Sequence, residues 1–270
     1  MPEPSYVERY SKDDWLRLSN SAHAAHDGVA EAIAGAIRLC YDPAAMVSAI
    51  HPTAVVYPNV HLGDGVCIAE FAIVGTPPLG TVPGELPTVI GDGATVRSHT
   101  VIYAGTSIGQ RLQTGHGALL REHCQVGDDV SIGSHSVVEH HVTMGNRVRL
   151  HSGVFVPEYS LLEDDVWLGP HVALTNALHP RCPLVKRCLR GPRLRRGAMV
   201  GANSTILPDI EIGAHALIGA GTVIVEDVPP HAVVVGNPGR ILKDIEELRC
   251  RYGLIDSPYG SFLAGSPEDE

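Results

Sequence analysis

The sequence predicts an all-β chain wound as a parallel β-helix of short rungs. Three observations carry this: an apolar residue at every sixth position, a glycine recurring just after it, and only 5% aromatic residues among 270. Stepping by six from Ile90 gives Val96, Ile102, Ile108, Thr114, Leu120, Val126, Ile132, Val138, Met144, Leu150, Val156, Leu162, Leu168 and Leu174, so 14 of 15 positions are apolar. A helix repeats every ~3.6 residues and an alternating strand every two, so neither holds this register. Gly91, Gly109, Gly127, Gly133, Gly145 and Gly169 follow periodic residues, where the chain must turn sharply after each short strand. Each rung buries an aliphatic side chain, at roughly 1.5–3 kcal/mol when fully buried. Stacked neighbours supply the stability, so few aromatics suffice.

In chain order, residues 1–48 precede the repeat, and 13–40 have the Ala-rich composition of a helix. The frame opens with Ile50, Val56, Leu62, Ile68 and Val74 and closes with Leu194, Val200, Ile206, Ile212, Ile218 and Ile224, giving 26 steps within residues 49–239. Val74 to Ile90 is 16 residues and Leu174 to Leu194 is 20, and neither is a multiple of six. The Pro- and Gly-containing segments near 75–89 and 175–193 are therefore expected as loops thrown out of the coil, where binding and chemistry are often placed. Within 240–270, "RILKDIEELRCRY" reads as a short amphipathic C-terminal helix capping the coil, followed by a loose polar tail.

The chain carries 30 acidic and 20 basic residues, a net charge of −10, with no basic block. That balance argues against nucleic acid or an anionic membrane as a partner and favours small molecules. No apolar run approaches the ~20 residues of a membrane span, and the polar N-terminus is unlike a secretory signal, so a cytoplasmic location is expected. The six scattered cysteines are expected as reduced thiols.

The pattern "I-G-x-x-[small]-x" over roughly residues 50–240 resembles the hexapeptide-repeat acyltransferases. The resemblance implies a left-handed triangular prism of eight to nine coils with three hexads per turn, assembled as a homotrimer with sites between adjacent prisms. The end of the chain, "VGANSTILPDIEIGAHALIGAGTVIVEDVPPHAVVVGNPGRILKDI", is similar to that of acetyl-CoA-dependent members, with "GA" pairs, a "D-V-P" exit and a "G-N-P-[small]-[KR]" finish. Gly201 and Gly219 are 18 residues apart, as are Ala202 and Ala220, so three hexads per coil would stack them into a smooth strip. Such a strip could take a pantetheine arm, with Arg240 or Lys243 on a CoA phosphate; alternatively, the small residues only fit tight corners.

The same spacing of 18 relates Glu122, His140 and Glu158, and also His123, His141 and Tyr159. A neutral imidazole held by a carboxylate is a fair general base near neutral pH. "VVEHHVTMG" resembles the "I-E-H-x-x-x-I-G" segment of bacterial amino-sugar N-acetyltransferases, placing His140 at the base position, but with His141 where that group has an acidic residue. "LQTGHGALLREHCQVGDDVSIG", "EHHVTMGNRVRLHSGVFV" and "DDVWLGPHVALTN" look like segments of acetyltransferases acting on nucleotide-linked 3-amino-deoxy sugars, with His116 near the site. The expected reaction is acetyl transfer from acetyl-CoA to a sugar amino group, with His140 and His141 positioning or deprotonating it. Asn176 would donate to the oxyanion or serve as a turn residue.

The alternative is O-acetylation of a sugar or antibiotic hydroxyl through His179, by resemblance to the xenobiotic acetyltransferases, where a loop histidine is the base. A third class is a zinc protein like the γ-carbonic anhydrases or a purely structural β-helix. His179, Cys182 and Cys188 form a further candidate for structural zinc. His99, His135 and His171, spaced by 36, are expected along one edge, and His151 at an interface.

Overall fold

The computed structural model describes residues 48–263. The helix expected over 13–40 lies outside the described residues. The rest is an all-β, left-handed parallel β-helix of two- to five-residue strands in three sheets of 11, 9 and 8 strands. Successive strands fall on successive sheets, and each pairs in parallel with strands a coil away, as Leu120 does with Val138 and Ile102.

Two of every six residues point inward. The first is the periodic residue, as in Ile132, Leu150 and Leu168; the second lies four positions later at the corner, as in Val130, Val148 and Val166. All six of these side chains are at most 1% exposed and belong to one continuous core. Thr114, the polar exception in the frame, is also buried, and its hydroxyl accepts from the Arg97 backbone N–H at 2.8 Å and bonds the Thr100 hydroxyl at 3.1 Å. A buried hydroxyl is tolerated once so paired. Buried Thr106, Ser136 and Ser204 likewise donate to the carbonyls of Arg121, His151 and Gly219 in the next coil.

Most corners hold one residue of positive φ, three positions after the buried residue. Asn, Asp, His, Arg or Gly usually fills it, with Phe71 and Tyr159 as bulkier occupants. His135 sits above Gly117 and His171 above Gly153. A Cβ on Gly117 would lie 2.8 Å from His135 Nδ1, so glycine makes room for the ring above it. His99, His135 and His171 thus share one edge, all exposed. At the corner between the 8- and 11-stranded sheets the same positions hold Arg111, Asp129, Arg147 and Asp165, forming bidentate pairs Arg111–Asp129 and Arg147–Asp165.

Both breaks in register leave the coil between a strand of the 9-stranded sheet and one of the 8-stranded sheet: Ile73–Thr76 to Thr88–Ile90, and Ala173–Leu174 to Arg193–Leu194. The two loops therefore project from the same corner of the prism, at different heights.

The C-terminal end departs from expectation. Residues Arg240–Asp244 form a strand antiparallel to Ala232–Val235, not a helix, and one 3-10 turn follows at Ile245–Glu247. Ala232–Val235 pairs with Leu217–Ile218 on one side, and an open edge strand on the other would leave its backbone groups unpaired, so pairing overrides helix propensity. A short C-terminal helix does occur, as a single turn at Gly260–Leu263. The expectation of six free thiols also fails at one position. Cys67 is disulfide-bonded, while Cys124, Cys182, Cys188 and Cys250 are free.

Candidate active site

The corner that ejects both loops carries two polar columns, because each corner presents one side chain two positions after the buried residue and another three positions after it. The first column is Glu122, His140, Glu158 and Asn176; the second is His123, His141 and Tyr159. The spacing of 18 relates the members of each column, Asn176 included. His123, His141 and Tyr159 have φ of 59°, 58° and 65°, and their rings stack at 5.0 and 5.5 Å between centroids.

A continuous polar chain links the columns. Asn176 donates through Nδ2 to a Glu158 carboxylate oxygen at 2.6 Å, and the other Glu158 oxygen lies 3.6 Å from His140 Nε2. His140 Nδ1 is 2.8 Å from His141 Nδ1. One nitrogen of that pair must carry the proton and the other accept it. The Asn176 amide also reaches the Glu158 carbonyl at 3.3 Å, so its Nδ2 is engaged with Glu158 on both sides.

Below the histidines, Arg121 grips Glu122 bidentately at 2.8 Å and reaches Glu139 at 3.1 Å. Burial works to raise the Glu122 carboxyl, but hydrogen bonds from Arg121 and the backbone, with the Arg121 and His140 charges, hold it below the usual range. His141 is held below an ordinary histidine by burial first, then by His140 and His123. Burial pushes the Cys124 thiol, whose Sγ lies 3.1 Å from the Glu139 carbonyl, up to about 12.

The remaining candidates lie elsewhere. His116 is on the corner between the 11- and 9-stranded sheets, with Nδ1 2.6 Å from the Ser98 hydroxyl. His179 is exposed in the second loop with Cys188 exposed and Cys182 half-buried. Among the described residues no group of three or more His, Cys, Asp or Glu is arranged to hold a metal ion, so the zinc expectation at His179, Cys182 and Cys188 is not supported. The same holds for the zinc-protein alternative at His123 and His141.

Gly201 and Gly219 owe their identity to coil stacking. A Cβ on Gly201 would lie 2.5 Å from Ala220 N, and one on Gly219 2.8 Å from Val235 Cγ1. Gly109 and Gly127 are crowded in the same way at another corner. Ala202 and Ala220 stand at the outward position beside them, Ala220 exposed, with Arg240 exposed and Lys243 half-exposed on the terminal hairpin.

Residues 123–158 and 191–226 match the bacterial transferase hexapeptide (six repeats) family. Fold and matches together define a hexapeptide-repeat left-handed β-helix. Among curated proteins the chain is 47% identical over 58 residues to serine acetyltransferase 2 of Arabidopsis thaliana, covering 22% of this chain and 18% of the relative. It is 49% identical over 53 residues to the serine acetyltransferase of Escherichia coli K12, covering 20% and 19%. The chain thus spans about a fifth of these relatives' length. A solved serine O-acetyltransferase from Brucella melitensis is 30% identical, covering 38% of this chain and 39% of that one, with a TM-score of 0.34. The amine acceptor expected from the amino-sugar resemblance is contradicted: these curated relatives are serine acetyltransferases, and they back the hydroxyl alternative better.

Proposed function

We propose that this chain transfers an acetyl group from acetyl-CoA to a hydroxyl of a small molecule, with the His140–His141 pair as the base. The observation that carries this reading is the chain Asn176–Glu158–His140–His141, in which an anchored carboxylate faces one imidazole and that imidazole meets the next. A hydroxyl acceptor needs its proton removed as its oxygen attacks. The oxygen bonds to the thioester carbonyl carbon, and its proton passes to the free imidazole nitrogen of the pair. The C–S bond then breaks, and the CoA thiolate leaves and takes the proton from the imidazolium. Glu158 stabilises that cation while Asn176 fixes the carboxylate. His179, the loop base of the sequence-level alternative, has no such support.

Acetyl-CoA fits along the strip of Ala202 and Ala220, with Arg240 and Lys243 within the same end of the prism for its phosphates. The assembly proposed is a homotrimer. It is supported by the outward row of the 9-stranded sheet, where Val55, Ile73, Val101, Leu119, Val137 and Phe155 succeed one another and Val55 and Phe155 are 47% and 39% exposed.

The test is release of CoA thiol with acetyl-CoA and matched acceptors, serine and a panel of sugars against analogues lacking the hydroxyl. Acceleration by hydroxyl acceptors that is lost in His140→Asn or His141→Asn upholds the reading. Full activity in both variants with loss in His179→Asn would return the base to the loop.

A further inference from the structure

A second site lies on the outer face of the 11-stranded sheet, away from the histidine pair. Four neighbouring strands there, Thr95–Val96, Gln113–Thr114, Ser131–Ile132 and Arg149–Leu150, present outward Thr95, Gln113, Ser131 and Arg149 in one row. A groove of about 240 Å³ runs over this row, with Arg97 and Arg149 both in its wall and no Asp or Glu lining it.

Those two arginines differ from the others of the coils. Arg111, Arg121, Arg147, Arg193, Arg195 and Arg196 each hold a carboxylate. Arg97 and Arg149 have no ion pair among the described residues, in a chain with 30 acidic and 20 basic residues. His151 also lines the groove, its ring edge-on to Trp167 at 4.7 Å. Burial first, then the neighbouring Arg149 charge, holds the His151 imidazole below the ordinary range.

We propose that this groove binds a diphosphate-bearing small molecule, with Arg97 and Arg149 on its phosphate oxygens and the hydroxyls of Ser131 and Ser134 as further donors. The Ser134 oxygen already accepts from the His116 backbone N–H at 3.1 Å, which leaves its hydrogen free to donate. Arg97 directly follows the strand Thr95–Val96 and Arg149 opens Arg149–Leu150, three strand steps away, about 14 Å at ~4.8 Å per step. Two long side chains closing from those ends suit an extended group with several oxygens better than a single carboxylate, and paired guanidinium forks match phosphate geometry. This inference does not depend on the acetyl-transfer reading, because it is measured as binding without turnover.

Isothermal titration of inorganic pyrophosphate and of UDP into the wild-type chain, Arg97→Gln, Arg149→Gln, the double variant and Arg111→Gln tests it. The double variant is expected to lose at least about tenfold in affinity, the equivalent of ~1.4 kcal/mol, while Arg111→Gln stays near wild type. Tighter binding of UDP assigns the groove to a nucleotide-borne diphosphate, and equal binding assigns it to the diphosphate alone; both uphold the site. No saturable binding of either probe to wild type, or equal affinities in every variant, overturns it. So does an Arg149→Gln variant that keeps its affinity but changes the oligomeric mass, since the guanidinium would then be pairing with a second copy. Circular dichroism on each variant separates loss of binding from loss of fold.

Discussion

His140 Nδ1 lies 2.8 Å from His141 Nδ1, so two residues adjacent in the chain share one proton between their rings. The left-handed backbone at His141, φ 58°, makes this contact possible by turning its side chain out of the usual alternation. Removing either imidazole is expected to lower kcat by about 10²–10⁴-fold, the usual worth of a positioned base, with a smaller change in KM. Because His141 is held below an ordinary histidine, the base stays neutral into more acidic solution. The acidic limb of the kcat/KM profile should therefore fall below about pH 6.5.

Glu158 and Asn176 are positioning residues in this scheme. Glu158→Gln keeps the shape but removes the charge facing His140, so kcat should fall and the acidic limb move to still lower pH, with KM for the acceptor nearly unchanged. Asn176→Ala releases the carboxylate without removing it, and should cost less than Glu158→Gln. A pH–rate series on the two variants distinguishes these outcomes from simple misfolding, which would leave the limb where it was.

Coil stacking should be intolerant of one methyl group. A Cβ at Gly127 would lie 2.7 Å from the Gly145 carbonyl carbon and 2.6 Å from Asn146 Oδ1. Gly127→Ala is expected to destabilise by about 1–3 kcal/mol, as for overpacking elsewhere, read as a lower midpoint in urea unfolding. Arg147→Ala, which removes an exposed ladder pair, should cost under about 1 kcal/mol in the same measurement.

Stability should weaken in mild acid. His141, His151 and His215 are all held below the ordinary histidine range, in each case by burial first. The unfolded chain therefore binds protons at these sites before the folded one does. Their contribution is fully present above about pH 6.5 and is lost as pH falls through the lower folded values. Urea midpoints between pH 8 and 5 check this, and a midpoint that rises on acidification would contradict it.

Thiol labelling should be selective. Cys188 is exposed, whereas Cys124 is buried with its thiol pushed up to about 12, so almost none of it is thiolate near neutrality. Iodoacetamide followed by peptide mass spectrometry should modify Cys188 in the native protein and Cys124 only after denaturation.

The six-residue frame determined the fold, because one buried position per hexad is enough to fix the register and the spacing of 18 then follows from three hexads per coil. It also determined the columns through Glu122, His140 and Glu158 and through His123, His141 and Tyr159, since stacking in a solenoid is a matter of counting. What counting could not reach was direction and partnership. The sequence does not tell that Asn176 spends its amide on Glu158, that both loops leave by the corner carrying the histidines, or that Gly201 is crowded by Ala220. Those depend on where side chains point after a left-handed corner and on how closely coils approach. The segment 240–244 became a strand for a similar reason: its helical pattern is local, but the open edge of Ala232–Val235 that captures it exists only once the prism is built.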